Sequence, residues 1–191
     1  MAFREDHLIE QYLDLLMEWN QKMRLTGVQN REEILEKLIH PCLLLEETLS
    51  SARSYLDVGS GAGIPGIMIK ILHPDWQGTL LERSEKKCRF HHEAVRHLAL
   101  KQIEIVSLDL KEFCRKEKRK FDYVFSRGVA LDKTDFLRIR RLLSPQGTHY
   151  FYGEKNVPIA QEVSSQEGGQ MSRSVAGWWE IKKMFHVEHS K

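Results

Sequence analysis

The stretch from residue 54 to 66, SYLDVGSGAGIPG, limits what this chain can fold into more than any other. The short apolar run Tyr55-Leu56-Asp57-Val58 predicts a buried strand that ends at an acid and breaks into a glycine turn. Gly59, Gly61 and Gly63 alternate, and Pro65 stands where a helix takes its first residue, ahead of the apolar run 67–72. Glycines so spaced let the backbone turn sharply and let a ligand approach main-chain N–H groups that a Cβ would shield. One strand further on, Gly78-Thr79-Leu80-Leu81-Glu82 places an acid at a carboxyl end. A doubly wound sheet sets its ribose-binding carboxylate at that position.

The remaining chain repeats the alternation. Strands are expected at 103–108, ending at Asp109, at 121–125, emptying into Ser126-Arg127-Gly128, and at 147–152. Helices are expected at 84–98 with Ser84 as N-cap, at 110–118, and at 132–143, stopped by Ser144-Pro145. Ahead of the glycine turn, Leu8, Ile9, Tyr12, Leu13, Leu16, Trp19 and Met23 recur at helical spacing. A second helix is expected over 31–49, kinked or divided by His40-Pro41. The polar segment 158–174 predicts a helix fragment and a mobile loop, and 178–188 a final strand anchored by Trp178 and Trp179. The fold class is therefore α/β, a mostly parallel twisted sheet with helices on both faces. It forms a single domain over 1–191, with N-terminal helices in 1–52 and a cofactor-binding core in 53–191.

Composition narrows the setting. Three widely spaced cysteines, Cys42, Cys88 and Cys114, form neither a C-x-x-C pair nor an even framework, which points to a reduced cytoplasm. No apolar run has membrane length and the N-terminus is charged, so neither a membrane partner nor a signal peptide is expected. A net charge of +2 implies no nucleic acid by itself, so a basic surface must come from local clusters. Arg83, Lys86, Lys87 and Arg89 form one such cluster, and Arg138, Arg140 and Arg141 another. His91 and His92 are adjacent, point to different sides and are expected at the surface. His186 and His189 lack supporting ligands, so no metal is expected.

The dinucleotide pattern G-x-G-x-x-G fails because position 64 is Ile. The form present, D-x-G-x-G-x-G, resembles motif I of Rossmann-like S-adenosylmethionine (SAM) methyltransferases. Further segments sharpen the likeness: Trp19, Asn20, Leu25 and Thr26 in W-N-x-x-x-x-L-T, then DVGSGAGIPG, LLERSEKK and FDYVFSRGVA. Over residues 8 to 155 the chain resembles the glucose-inhibited division protein B family, bacterial guanine-N7 methyltransferases of small-subunit (16S) ribosomal RNA. The resemblance implies a SAM-dependent methyltransferase fold with N-terminal helices, SAM as cofactor and S-adenosylhomocysteine as product. It assigns Gly59, Ser60, Gly61 and Gly63 to the SAM turn, Glu82 to the ribose and Arg127 to the active site beside the sulfonium. Asp109 would accept from the adenine amine, with Leu110 against the ring. The implied partner is small-subunit ribosomal RNA or the 30S particle, approached by a monomer.

Several positions depart from the family pattern. Arg24 replaces the usual Asn before Leu-Thr, and Lys37-Leu38 and Pro41-Cys42 replace an Arg-His pair and an Asp-Ser pair. Asp109-Leu110-Lys111 stands for Arg-Ala-Glu, and the Lys-Gly after the fifth strand is shifted to Gly153-Glu154-Lys155. The SAM side is kept and the substrate side altered. Methylation of another RNA or a small molecule, or SAM binding without catalysis, therefore stays open at this point. Phe3, Trp19 and Phe125 are candidates for base stacking or for core packing. Guanine N7 carries no proton, so a transfer to it needs alignment and no general base.

Overall fold

Seven strands form one sheet in the order β3-β2-β1-β4-β5-β7-β6. In chain order they are β1 (Ser54–Val58), β2 (Gln77–Leu81), β3 (Ile103–Val106), β4 (Phe121–Arg127), β5 (Leu143–Tyr152), β6 (Gln170–Arg173) and β7 (Trp178–Lys182). The computed structural model describes residues 2–50 and 53–183, with backbone alone for 2–4. Strands β1 to β5 are parallel, and β7 pairs antiparallel with both β5 and β6. The helices are α1 (Ala2–Met23), α2 (Arg31–Ile34), α3 (His40–Glu46), α4 (Gly66–Leu72), α5 (Glu85–His97), α6 (Leu110–Lys116), α7 (Lys133–Leu142) and α8 (Val157–Gln166).

Side chains alternate across the strands, so each strand feeds two cores. Tyr55, Tyr123, Phe125, Tyr150 and Trp178 face α1, α3, α4 and α5, meeting Tyr12, Leu45, Ile67 and Phe90. Leu56, Val58, Val124, Phe151 and Ile181 face α6, α7 and α8, meeting Phe113, Phe136 and Val163. Phe125 stacks on Tyr150 with centroids 5.9 Å apart, and Trp19 packs on Phe90 at 5.7 Å. Both aromatics are thus core residues, while the Phe3 side chain lies outside the described residues.

The structure corrects several expectations. Residues 31–49 form two short α-helices joined by a π-helical turn, Leu35–Ile39, with Pro41 in the first turn of α3. Pro65 is the N-cap of α4, one residue before the helix. The segment 158–174 holds a strand, β6, where a loop was expected. Its residues are largely polar because an edge strand needs only main-chain pairing, here with β7. β5 begins at Leu143 directly from α7, with a register shift between Phe121 and Tyr123 of β4. β7 ends at Lys182; the rest of 178–188 beyond residue 183, and His186 and His189, lie outside the described residues. Finally, His91 is buried and only His92 is exposed. His91 continues the stripe Cys88, Ala94, Leu98 that packs α5 on the sheet.

Candidate active site

The carboxyl ends of β1 to β4 open onto a cleft of about 480 Å³. Gly59 follows β1, Glu82 and Arg83 follow β2, Asp109 and Leu110 follow β3, and Gly128 and Val129 follow β4; all seven line it. Of the residues expected at the site, the cleft therefore joins Gly59, Glu82, Asp109 and Leu110. Ser60, Gly61, Gly63 and Arg127 stand outside its lining.

The glycine turn is built from left-handed backbone. Gly59 has φ +67° and Gly61 φ +59°, and a Cβ on Gly59 would lie 2.4 Å from the Val129 side chain. Ser60 turns inward, its hydroxyl donating to the Asp57 carbonyl at 3.0 Å. The Gly61 N–H donates to Glu82 Oε2 at 3.0 Å, and the Ser84 N–H donates to Glu82 Oε1 at 2.9 Å. Glu82 is thus fixed at the cleft wall with a further lone pair on each oxygen. On the far side of the turn, the Tyr12 hydroxyl donates to the Ala62 carbonyl at 2.5 Å, and His91 Nε2 lies 2.9 Å from the Gly61 carbonyl. Asp57 accepts from the Gly66 N–H at 2.9 Å. Burial pushes its carboxyl up to about 7, against the lowering effect of that hydrogen bond. It holds the turn against α4.

Asp109 is the N-cap of α6, its Oδ1 accepting the Glu112 N–H at 2.7 Å. Its Oδ2 has no partner among the described residues. Arg127, at the end of β4, reaches away from the cleft toward the N-terminal helices. Nη1 donates to the Leu38 carbonyl at 2.7 Å, Nη2 donates to the Lys37 carbonyl, and the guanidinium lies 4.2 Å from the Tyr152 ring centroid. Pro41 explains the free acceptor, since a proline four residues on offers no N–H to the Lys37 carbonyl. Cys42 Sγ lies 3.7 Å from Nη1. The departures at 37, 38, 41 and 42 therefore all gather around Arg127. Sequence reasoning missed Tyr152, Val129 and His91. Only His91 left a signal, its place on the buried stripe of α5.

A SAM molecule would need a diol acceptor, an apolar slot for a purine and bare backbone for its amino-acid end. Glu82 supplies the first, Leu110 and Val129 the second, and Gly59 with Gly128 the third, so the residues present fit it. Among the described residues, no group of three His, Cys, Asp or Glu side chains could hold a metal ion.

A sheet of this order with its seventh strand antiparallel, a glycine turn after β1 and an acid after β2 define the Rossmann-like fold of SAM-dependent methyltransferases. A SAM-dependent methyltransferase from Aquifex aeolicus superposes with a TM-score of 0.60 at 17% identity, over 78% of this chain and 91% of that one. A family model described as rRNA small subunit methyltransferase G matches residues 5–173, and the chain belongs to that family. The ribosomal RNA small subunit methyltransferase G of Mesoplasma florum is 36% identical over 189 residues, 93% of this chain and 79% of that protein. Its namesake from Clostridium perfringens strain SM101 is 38% identical over 136 residues, 68% of this chain and 57% of that protein. The chain thus spans little more than half the length of the second relative.

Proposed function

We propose that this protein transfers the methyl group of SAM to N7 of a guanine in small-subunit (16S) ribosomal RNA. The observation that carries the reading is the Gly61–Glu82 pairing at the cleft wall, on a chain of this family. Glu82 takes the ribose hydroxyls, Leu110 and Val129 flank the adenine, and the second oxygen of Asp109 accepts from its amine. When bound, SAM supplies an already activated methyl group, so the protein's task is alignment. Arg127 stands at the end of β4 with its charge unmatched by any carboxylate among the described residues. Its fork suits a phosphate or the guanine O6 once it leaves the helix carbonyls, leaving the N7 lone pair free to take the methyl group.

The approach surface for RNA is the lip formed by Arg83, Lys86, Lys87 and Arg89. None of the four is in an ion pair among the described residues. The second basic cluster differs: Arg138 pairs with Asp135 at 2.7 Å, and Arg140 lies 3.7 Å from Glu167. Arg141 of the second cluster is also in no ion pair among the described residues, but only the first cluster has all its cations unpaired.

Tritiated SAM, offered with unmodified small-subunit particles, naked ribosomal RNA and a metabolite extract, tests the reading. Label is expected in the RNA, at a site that borohydride and aniline convert to one strand break, because N7 methylation labilises the purine. Label only in a small molecule, or none despite SAM binding, would overturn it.

A further inference from the structure

His91 does what neither a surface histidine nor a packing residue does. Its ring is fully buried on α5, and Nε2 lies 2.9 Å from the Gly61 carbonyl, an atom that can only accept. Nε2 therefore carries the proton, and Nδ1 is left as a bare acceptor. Nδ1 is buried and has no partner among the described residues. An orphaned buried acceptor is destabilising, and an apolar side chain of similar volume would avoid it. Burial also drives the ring's pKa down to about 4, so the ring stays neutral at physiological pH and keeps this single tautomer.

What the ring holds is one end of a short chain of contacts. The peptide after Gly61 is fixed by His91 through its carbonyl, and the peptide before Gly61 donates its N–H to Glu82 Oε2 at 3.0 Å. Gly61 is in the left-handed region and carries no Cβ; the peptide before it is also held by the Gly63 N–H, which donates to the Ser60 carbonyl at 2.7 Å, while the peptide after it is held by His91. The neighbouring carbonyl, of Ala62, is held separately by Tyr12 from α1. Loss of the His91 donor frees the peptide after Gly61 and, through the Gly61 backbone, loosens the N–H that aims the carboxylate.

We propose that His91 is a positioning residue for the cofactor cleft, setting the Gly61 peptide so that Glu82 is aligned before SAM arrives. The proposal rests on the reading of the cleft as a SAM site. Its signature is a split: replacing the ring by an apolar residue trades the orphaned Nδ1 for an unpaired Gly61 carbonyl, changing fold stability little, and loosens the cleft.

The test is calorimetric SAM binding and thermal melting of the intact chain, for the parent, His91→Leu and His91→Gln. His91→Leu is expected to melt near the parent and to bind SAM about tenfold more weakly, the scale of one hydrogen bond. Turnover at saturating SAM should stay near the parent's while KM for SAM rises. His91→Gln places a donor nitrogen at the reach of Nε2 and should recover most of the affinity. Parent-like binding by His91→Leu, a melting point far below the parent's, or no recovery in His91→Gln would each overturn the proposal. A parent protein that binds no SAM would instead overturn the reading of the cleft.

Discussion

Glu82 and Arg24 show how single residues are bound by backbone demands. Glu82 is the sole partner of two main-chain donors, Gly61 N–H and Ser84 N–H. Glu82→Ala would orphan both and remove the diol acceptor, so SAM affinity should fall by about 1–3 kcal/mol. Glu82→Gln keeps the shape but turns a donor toward one of those N–H groups, and it should bind SAM little better than the alanine variant. Calorimetry giving parent-like affinity for a folded Glu82→Ala protein would remove Glu82 from the site. Arg24 follows α1 with φ +47°, and its N–H closes on the Asn20 carbonyl at 3.0 Å. Asparagine tolerates that conformation better than arginine. Arg24→Asn should therefore raise stability, read as a higher urea midpoint with an unchanged slope. The Trp-Asn…Leu-Thr motif acquires its meaning from the same turn: the Asn20 amide donates to the Val28 carbonyl at 2.8 Å and accepts from the Thr26 N–H at 2.9 Å.

Strands β4, β5 and β7 together hold the helix pair α2–α3. Arg127 grips the Lys37 and Leu38 carbonyls, Tyr152 lies against its guanidinium, and Trp178 Nε1 donates to the Pro41 carbonyl at 2.9 Å. Arg127→Lys keeps a charge but cannot reproduce the fork. It should leave SAM affinity near the parent's, cut turnover, and speed hydrogen exchange across residues 31–46. An Arg127→Lys enzyme with parent-like single-turnover rate would make the residue a strut for the helices alone. Legibility in the sequence follows the same division. The glycine turn, Glu82 and the five parallel strands were legible because each needs a distinctive residue type or a continuous apolar run. The π turn, strand β6 and the contact of Arg127 with α2–α3 were not, because main-chain groups make them and almost any side chain can ride on such groups. His91 was misread because its neighbour His92 drew the pair toward solvent, although the helical stripe through Cys88 and Ala94 already placed it inside.

At the scale of the whole molecule, charge decides how a chain of net +2 could engage a polyanion. Some cations of the described residues are spent locally, among them Arg31 on Glu10 and Asp14, Arg119 on Glu104 and Glu117, and Lys133 on Glu162. Arg83, Lys86, Lys87 and Arg89 are spent on nothing, and Arg83 and Lys87 sit on the cleft wall itself. Lys86 and Arg89 are exposed beside them without touching the cleft. This separates RNA binding from cofactor binding. Each phosphate contact releases condensed counterions, so log affinity falls with log salt by about 0.7–0.9 per contact. The double variant Lys86→Ala, Arg89→Ala should keep the parent's SAM affinity and melting point. Its affinity for small-subunit RNA should drop most at low salt, with the salt slope reduced by about 1.5–2. An unchanged slope would move the RNA path off this lip.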